Sequence, residues 1–183
     1  MAKTVLFLAE GFEEIEALTV VDLLRRAGIE CVTASINGDT AVKGSHDITV
    51  MADTTFAEAP IDEADMLILP GGGLGTQNLK ACEPLGGWLK AFDSTGKYLS
   101  AICAAPTVLG ELGILKGRRA CCYPGCESGM IGAEVTSNEV TVDGHITTSR
   151  GMGTAIPFGL AIIERFQGVQ AAKDMAKKIV YRI

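Results

Sequence analysis

Aromatic residues make up only 5% of the 183-residue chain, and histidine occurs just twice. No apolar run reaches the roughly 18 residues that a membrane-spanning helix needs. Basic residues cluster nowhere beyond Arg25-Arg26 and Arg118-Arg119, and the formal net charge is −6. A phosphate-tracking protein needs a basic face, so nucleic acid is excluded as an expected partner, and so is a membrane. Met1-Ala-Lys-Thr leads straight into a strand-like run rather than a signal peptide, which makes the cytoplasm the expected location. With so few aromatics the core must be built from Val, Ile, Leu and Ala. A chain of this length is expected to form one domain, residues 1–183, with a substantial core.

The six cysteines are Cys31, Cys82, Cys103, Cys121, Cys122 and Cys126. Without a secretion signal they read as thiols rather than a disulfide framework. Cys121-Cys122-x-x-x-Cys126 invites a metal reading. The histidines, His46 and His145, lie far off in sequence, and no second Cys pair has zinc-finger spacing, so no metal is expected.

Strand-like and helix-like segments alternate along the chain. Lys3 to Ala9 is a near-continuous apolar run, as for a strand buried on both faces of a parallel sheet. Glu13 to Ala27 follows as a helix with Ile15, Leu18, Val21 and Leu24 at helical spacing, and Glu13 and Glu14 suit a solvated first turn. Ile29 to Ile36 completes a βαβ unit. Residues 37 to 60 read as a small antiparallel excursion, with His46 in an exposed turn. Asp65 to Pro70 is another buried strand, and two helices are predicted at Thr76 to Ala81 and Glu83 to Ser94. A β run from Arg119 to Tyr123, a hairpin across Asp143-Gly144 and helices over Ala155 to Phe166 and Val169 to Ile179 complete the pattern. Such alternation predicts a three-layer α/β/α sandwich around a mainly parallel sheet.

Two places in this frame carry chemistry. Gly71-Gly-Gly-Leu-Gly75 ends a strand, and glycine there lets backbone N–H groups approach a ligand closely. Gly-Lys-Ser/Thr is absent and the third glycine of a dinucleotide fingerprint would fall at Thr76, so no nucleotide cofactor is expected. The second place is Gly96 to Gly110, an apolar run that breaks at Cys103 and reopens as a helix with Pro106 in its first turn. Ala101-x-Cys103-x-Ala105 fits a nucleophile elbow, whose sharp turn demands small neighbours. A helix N-terminus behind Cys103 would favour the thiolate. The alternative is a buried, inert Cys at a strand end. Glu16, at the edge of the first helix's apolar face, reads either as a third solvated acid or as a carboxyl reaching the crevice at the strand ends.

Four segments taken together resemble one family. They are Ala9-Glu-Gly-Phe-Glu-Glu-Ile-Glu16, Leu69-Pro-Gly-Gly-Gly-Leu-Gly75, Ala101-Ile-Cys-Ala-Ala-Pro106 and Thr148-Ser-Arg-Gly-Met-Gly-Thr154. In order and spacing they resemble the ThiJ/PfpI superfamily, in the branch that contains the parkinsonism-associated protein deglycase. The resemblance implies a flavodoxin-like sandwich akin to the class I glutamine amidotransferases, usually a homodimer, with Cys103 as nucleophile and Glu16 as its acidic partner. Gly72 and Ala104 match the backbone N–H donors, and Arg26 matches an arginine near the dimer interface. Gly71, Gly73, Tyr123 and Thr154 are then candidates for the pocket wall. Animal members carry His-Pro where this chain has Tyr123-Pro124, which removes the imidazole that a peptidase or amidotransferase would use.

What the resemblance implies chemically is a cofactor-independent glyoxalase or protein deglycase acting on 2-oxoaldehydes of the methylglyoxal type and on their early adducts. In it a thiolate beside a neutral Glu16 attacks the carbonyl. The competing expectation is a redox-sensing stress protein or chaperone in which Cys103 is oxidised to the sulfinic acid.

Overall fold

The computed structural model describes residues 2–182. Its frame is a seven-stranded sheet built from β1 (Lys3–Leu8), β2 (Glu30–Ser35), β5 (Thr54–Thr55), β6 (Met66–Leu69), β7 (Tyr98–Ile102), β10 (Val140–Asp143) and β11 (Ile146–Ser149). The order across the sheet is β10-β11-β7-β6-β1-β2-β5, and every pairing is parallel except β10 with β11. Two small two-stranded sheets stand apart: β3 (Ala41–Lys43) with β4 (Thr49–Met51), and β8 (Arg119–Ala120) with β9 (Glu134–Val135).

Alternation along β1 shows why both faces must be covered. Val5 and Phe7 point into one core with the helices α2 (Gly73–Ala81), α3 (Glu83–Thr95) and α4 (Pro106–Glu111), through Leu79, Leu85, Leu89, Phe92 and Leu109. Leu6 and Leu8 point into the other, against α1 (Glu14–Arg26), α5 (Ala155–Gln167) and α6 (Val169–Lys178), through Val20, Leu24, Phe158, Ile162 and Met175. Each large buried side chain contributes roughly 1.5–3 kcal/mol. The predicted three-layer α/β/α sandwich is present, and its parallel sheet gives it a flavodoxin-like architecture.

Several local expectations are corrected. In α1 the buried side is formed by Glu14, Glu16, Ala17, Val20, Val21, Leu23 and Leu24, while Ile15 and Leu18 are 49% and 38% exposed. The helix is rotated relative to the stripe read from Ile15 and Leu18, so Glu14 is buried rather than solvated. Helix α2 begins at Gly73, three residues earlier than expected, because the chain turns at Gly72. The run after Arg119 pairs only at Arg119 and Ala120, since Tyr123 N–H is drawn to the Cys103 carbonyl, 2.7 Å away. Among the described residues no helix is long and apolar enough to cross a membrane.

The parallel order decides where the loops gather. β1, β6, β7 and β11 are consecutive neighbours running the same way, so the segments leaving their carboxyl ends meet at one edge. Those segments carry Glu10 to Glu16, Pro70 to Gly73, Cys103 to Ala105 and Arg150 to Thr154.

Candidate active site

Cys103 follows directly on β7 with φ +66, in the left-handed region that a side chain rarely adopts. For a residue other than glycine this conformation costs about 1–3 kcal/mol, and it persists because neighbours hold it from both sides. Cys103 N–H donates to the Ser149 carbonyl at 2.9 Å, and the Cys103 carbonyl accepts from Tyr123 N–H. The sharp corner at a strand-to-helix junction is the predicted elbow. Cys103 is half-buried, whereas Cys31, Cys121 and Cys122 are sealed in the core.

Glu16 reaches the sulfur from α1. Its residue is 1% exposed, and its Oε2 accepts the Gly71 N–H at 2.9 Å. The carboxyl group is also hydrogen-bonded to Cys103 and to the Met152 backbone N–H. The sulfur in turn accepts from the backbone N–H groups of Gly72 and Ala104. Glycine is obligatory between the two side chains, because a Cβ on Gly71 would stand 2.5 Å from Glu16 Oε2 and 2.6 Å from Cys103 Cβ. Gly72, at φ +93, allows the chain to press against the Gly11 and Phe12 backbone and present its N–H.

Electrostatics corrects one expectation. Burial pushes the Cys103 thiol up, the negative charge of Glu16 and the hydrogen bond to it push it further, and the two N–H donors recover only part, leaving it at about 12. The helix behind it is no substitute, since α4 starts at Pro106 and runs for six residues. Burial likewise raises Glu16, while the bonds from Cys103, Gly71 and Met152 lower it and the charge of Glu13 raises it, to about 7. The Glu16 carboxylate disfavours the Cys103 thiolate, while the thiol's hydrogen bond favours that carboxylate. The pair therefore behaves as one unit that gives up its first proton near neutrality and holds the second tightly. That singly charged unit contains a sulfur held by two donors and a carboxyl held by two others, with one proton between them.

The remaining candidates divide. Tyr123 is 52% exposed and its ring overhangs Gly151, next to the Glu16 carboxyl, so it stands at the rim. Gly73 and Ala104 wall an adjoining cleft. Thr154 is not a free pocket group: its hydroxyl bonds Ser149 Oγ at 2.7 Å and the Gly151 N–H at 3.1 Å, locking the turn after β11. Arg26 is exposed and paired with Asp22 on its own helix, Nε to Oδ2 2.6 Å.

Sequence reasoning missed the support behind α1. Glu14 Oε1 accepts from the His46 backbone N–H at 2.7 Å, its Oε2 lies 3.0 Å from His46 Nδ1, and the Ser45 hydroxyl donates to Oε2 at 3.1 Å. Ser45 N–H donates to the Phe12 carbonyl and Gly11 N–H to the Lys43 carbonyl, both at 2.8 Å. The β3–β4 hairpin is thus latched onto the loop that aims Glu16. Glu13, Glu14 and His46 place ligand atoms within 4.8 Å of one another, but this latch already engages both Glu14 oxygens. His145 meets Asp93 at 2.8 Å in the hairpin turn that starts β11, at the opposite end of the strand from the elbow.

Comparison with known proteins agrees with this geometry. The chain matches the DJ-1/PfpI family over residues 2–165. It is 38% identical to the protein dj-1beta of Drosophila melanogaster over 183 residues, covering 98% of each chain. It is 36% identical over 156 residues to a deglycase of Pyrococcus abyssi, covering 82% of this chain and 91% of that one. The solved structure of oxidized DJ-1 from Toxoplasma gondii superposes with a TM-score of 0.95 at 34% identity, covering 100% of both chains. With the family's model matched over residues 2–165 and the fold shared over its full length, the chain belongs to the DJ-1/PfpI family.

Proposed function

We propose that the protein is a cofactor-independent, cysteine-dependent glyoxalase and deglycase, acting on 2-oxoaldehydes of the methylglyoxal type and on their early adducts. The observation that carries this reading is the Cys103–Glu16 contact, with the sulfur beside two backbone N–H donors. The similarity to a chain named a deglycase supports it.

In the reaction the Cys103 sulfur, its proton held by Glu16, adds to the aldehyde carbon. The hemithioacetal oxygen that forms is met by the Gly72 and Ala104 N–H groups. Glu16 gives its proton to that oxygen, takes the hydrogen from the carbon and returns it to the adjacent ketone carbon, whose oxygen becomes a hydroxyl with the proton that the first oxygen releases as the thioester C=O forms. This leaves a 2-hydroxyacyl thioester on Cys103, which water hydrolyses to the 2-hydroxyacid and free thiol. Methylglyoxal plus water becomes lactate with no external oxidant or reductant. Tyr123 cannot replace a proton-shuttling imidazole, so peptidase and amidotransferase chemistry is disfavoured.

A homodimer in the cytoplasm fits this reading. Ile15 and Leu18 leave an apolar face on the same helix that carries Arg26. Lactate release from methylglyoxal is the direct test: Cys103→Ser should abolish it, and wild-type turnover no faster than buffer would reject catalysis. The second reading, a redox sensor of oxidative stress, draws on the partial exposure of Cys103 and on the oxidized state named for the Toxoplasma gondii relative. Under it, mild peroxide adds oxygen to Cys103 before the other five thiols, as peptide mass spectrometry would read. Even oxidation of all six would count against it.

A further inference from the structure

We propose that Glu13, Glu14, Ser45 and His46 form a site for a divalent transition-metal ion, zinc by its donor set, which clips the β3–β4 hairpin to the start of α1. The site is independent of any chemistry at Cys103.

Four side-chain atoms from two separate segments converge there. Ser45 Oγ lies 3.1 Å from Glu13 Oε2, 3.1 Å from Glu14 Oε2 and 3.0 Å from His46 Nδ1. His46 Nδ1 lies 3.0 Å from Glu14 Oε2 and 3.6 Å from Glu13 Oε2, and carboxylate oxygens of the two glutamates come within 4.8 Å of each other. Ligands about 2.1 Å from a metal stand about 3.0 Å apart around an octahedron and about 3.4 Å apart around a tetrahedron, so these edges already outline a coordination shell. The His46 backbone N–H holds Glu14 Oε1 at 2.7 Å, which leaves Oε2 turned toward the shared point. Oε2 is met there by the Ser45 hydroxyl and the His46 ring, so an ion would replace bonds made within the set itself.

Charge balance points to a cation independently. The side chains of Glu13 and Glu14 are only 14% and 5% exposed. Among the described residues neither pairs with Lys or Arg, and the nearby Lys43 is engaged with Asp47. Buried charges are ordinarily paired or bound to metal. Two carboxylates against one imidazole leave the set one charge short even with His46 protonated, whereas a divalent ion beside neutral His46 closes the balance. Glu14, held down at about 2, is a carboxylate at any ordinary pH. On binding, His46 Nδ1 releases its proton to solvent and the Ser45 hydroxyl turns its hydrogen outward.

The donors also select among cations. Calcium and magnesium want shells of oxygen, and a shell with an imidazole nitrogen suits zinc better. The His46 ring is largely exposed, which opens the site to an ion from solvent.

The test titrates Zn²⁺ into the full chain by calorimetry, with Mg²⁺ as the oxygen-preferring control, and repeats the titration with Co²⁺ for its absorption. One equivalent of zinc is expected to bind, at least about tenfold more tightly than magnesium. Glu13→Gln and His46→Asn should each weaken zinc binding about tenfold or more. Asn at position 46 can keep a hydrogen bond to Glu14, so without metal its melting temperature should match wild type, and only wild type should melt higher on adding zinc. Bound Co²⁺ should show d–d bands that His46→Asn alters, without the charge-transfer band of a thiolate ligand. Absence of zinc binding, an affinity unchanged in both variants, or a cobalt spectrum carrying thiolate charge transfer would overturn the proposal. So would a melting temperature that zinc raises equally in wild type and His46→Asn.

Discussion

Glu14 and Glu16 stand two residues apart on one helix and are 4% and 1% exposed, yet their carboxyl groups are driven in opposite directions. Burial pulls Glu14 up, but the His46 backbone and ring and the Ser45 hydroxyl outweigh it and hold it down at about 2. Burial pulls Glu16 up as well, and the weaker set of donors around it leaves it at about 7. Depth alone therefore does not make a carboxyl group a proton carrier. The difference is that Glu14 is saturated with donors from a latched hairpin, whereas Glu16 shares a proton with a sulfur.

The largest effect should come from breaking the reactive member. Glu16→Gln keeps the shape and removes the transferable proton, and a loss of about 10²–10⁴-fold in lactate formation is expected. The same change at Glu14 should leave turnover within a few-fold, measured in parallel. Comparable losses in both variants would erase the distinction between them.

Gly71→Ala sharpens the contrast from the other side. Its new Cβ would enter the space between Glu16 and Cys103. Displacement of about 1 Å at a reacting pair can cost on the order of 10²-fold, read as kcat. Near-wild-type activity in this variant would mean that the pair need not touch.

Stability should respond to pH with opposite signs at the two positions. Glu16 has a raised folded pKa, so the unfolded chain binds fewer protons between about 4.5 and 7, and stability falls as pH rises through that window. Glu16→Gln should thus be more stable than wild type by about 2 kcal/mol at pH 8 and similar to it at pH 4, by urea unfolding. Glu14 has a depressed folded pKa, so its contribution is present above about 4.5 and is lost as pH falls toward 2. Because Ser45 and His46 are near solvent, screening keeps the expected loss in Glu14→Gln to about 1–2 kcal/mol at pH 7. Matching pH profiles for the two variants would contradict the account.

Much of this was legible in the residues. The strand–helix alternation, the glycine turn after Leu69 and the break at Cys103 are local features, and local chemistry enforces them. The rotation of α1 was not legible, because apolar residues occur around most of its circumference and periodicity cannot choose between Ile15 with Leu18 and Ala17 with Val20. What decides is Glu16 docking on Gly71, 55 positions away, and Glu14 docking on His46, 32 positions away. Both contacts are long-range, as is the partial burial of Cys103 that raises its thiol. The engagement of the Thr154 hydroxyl by the turn it sits in was not legible for a related reason, since composition does not reveal such a bond pattern.

The central claim is that Cys103 and Glu16 titrate as one unit, and the rate of Cys103 alkylation against pH measures it most directly. In wild type the rate should rise with an apparent pKa near 7, where the pair loses its first proton, and that step should move away from neutrality in Glu16→Gln. A single step near 8.5 in both proteins, the behaviour of an independent thiol, would contradict it.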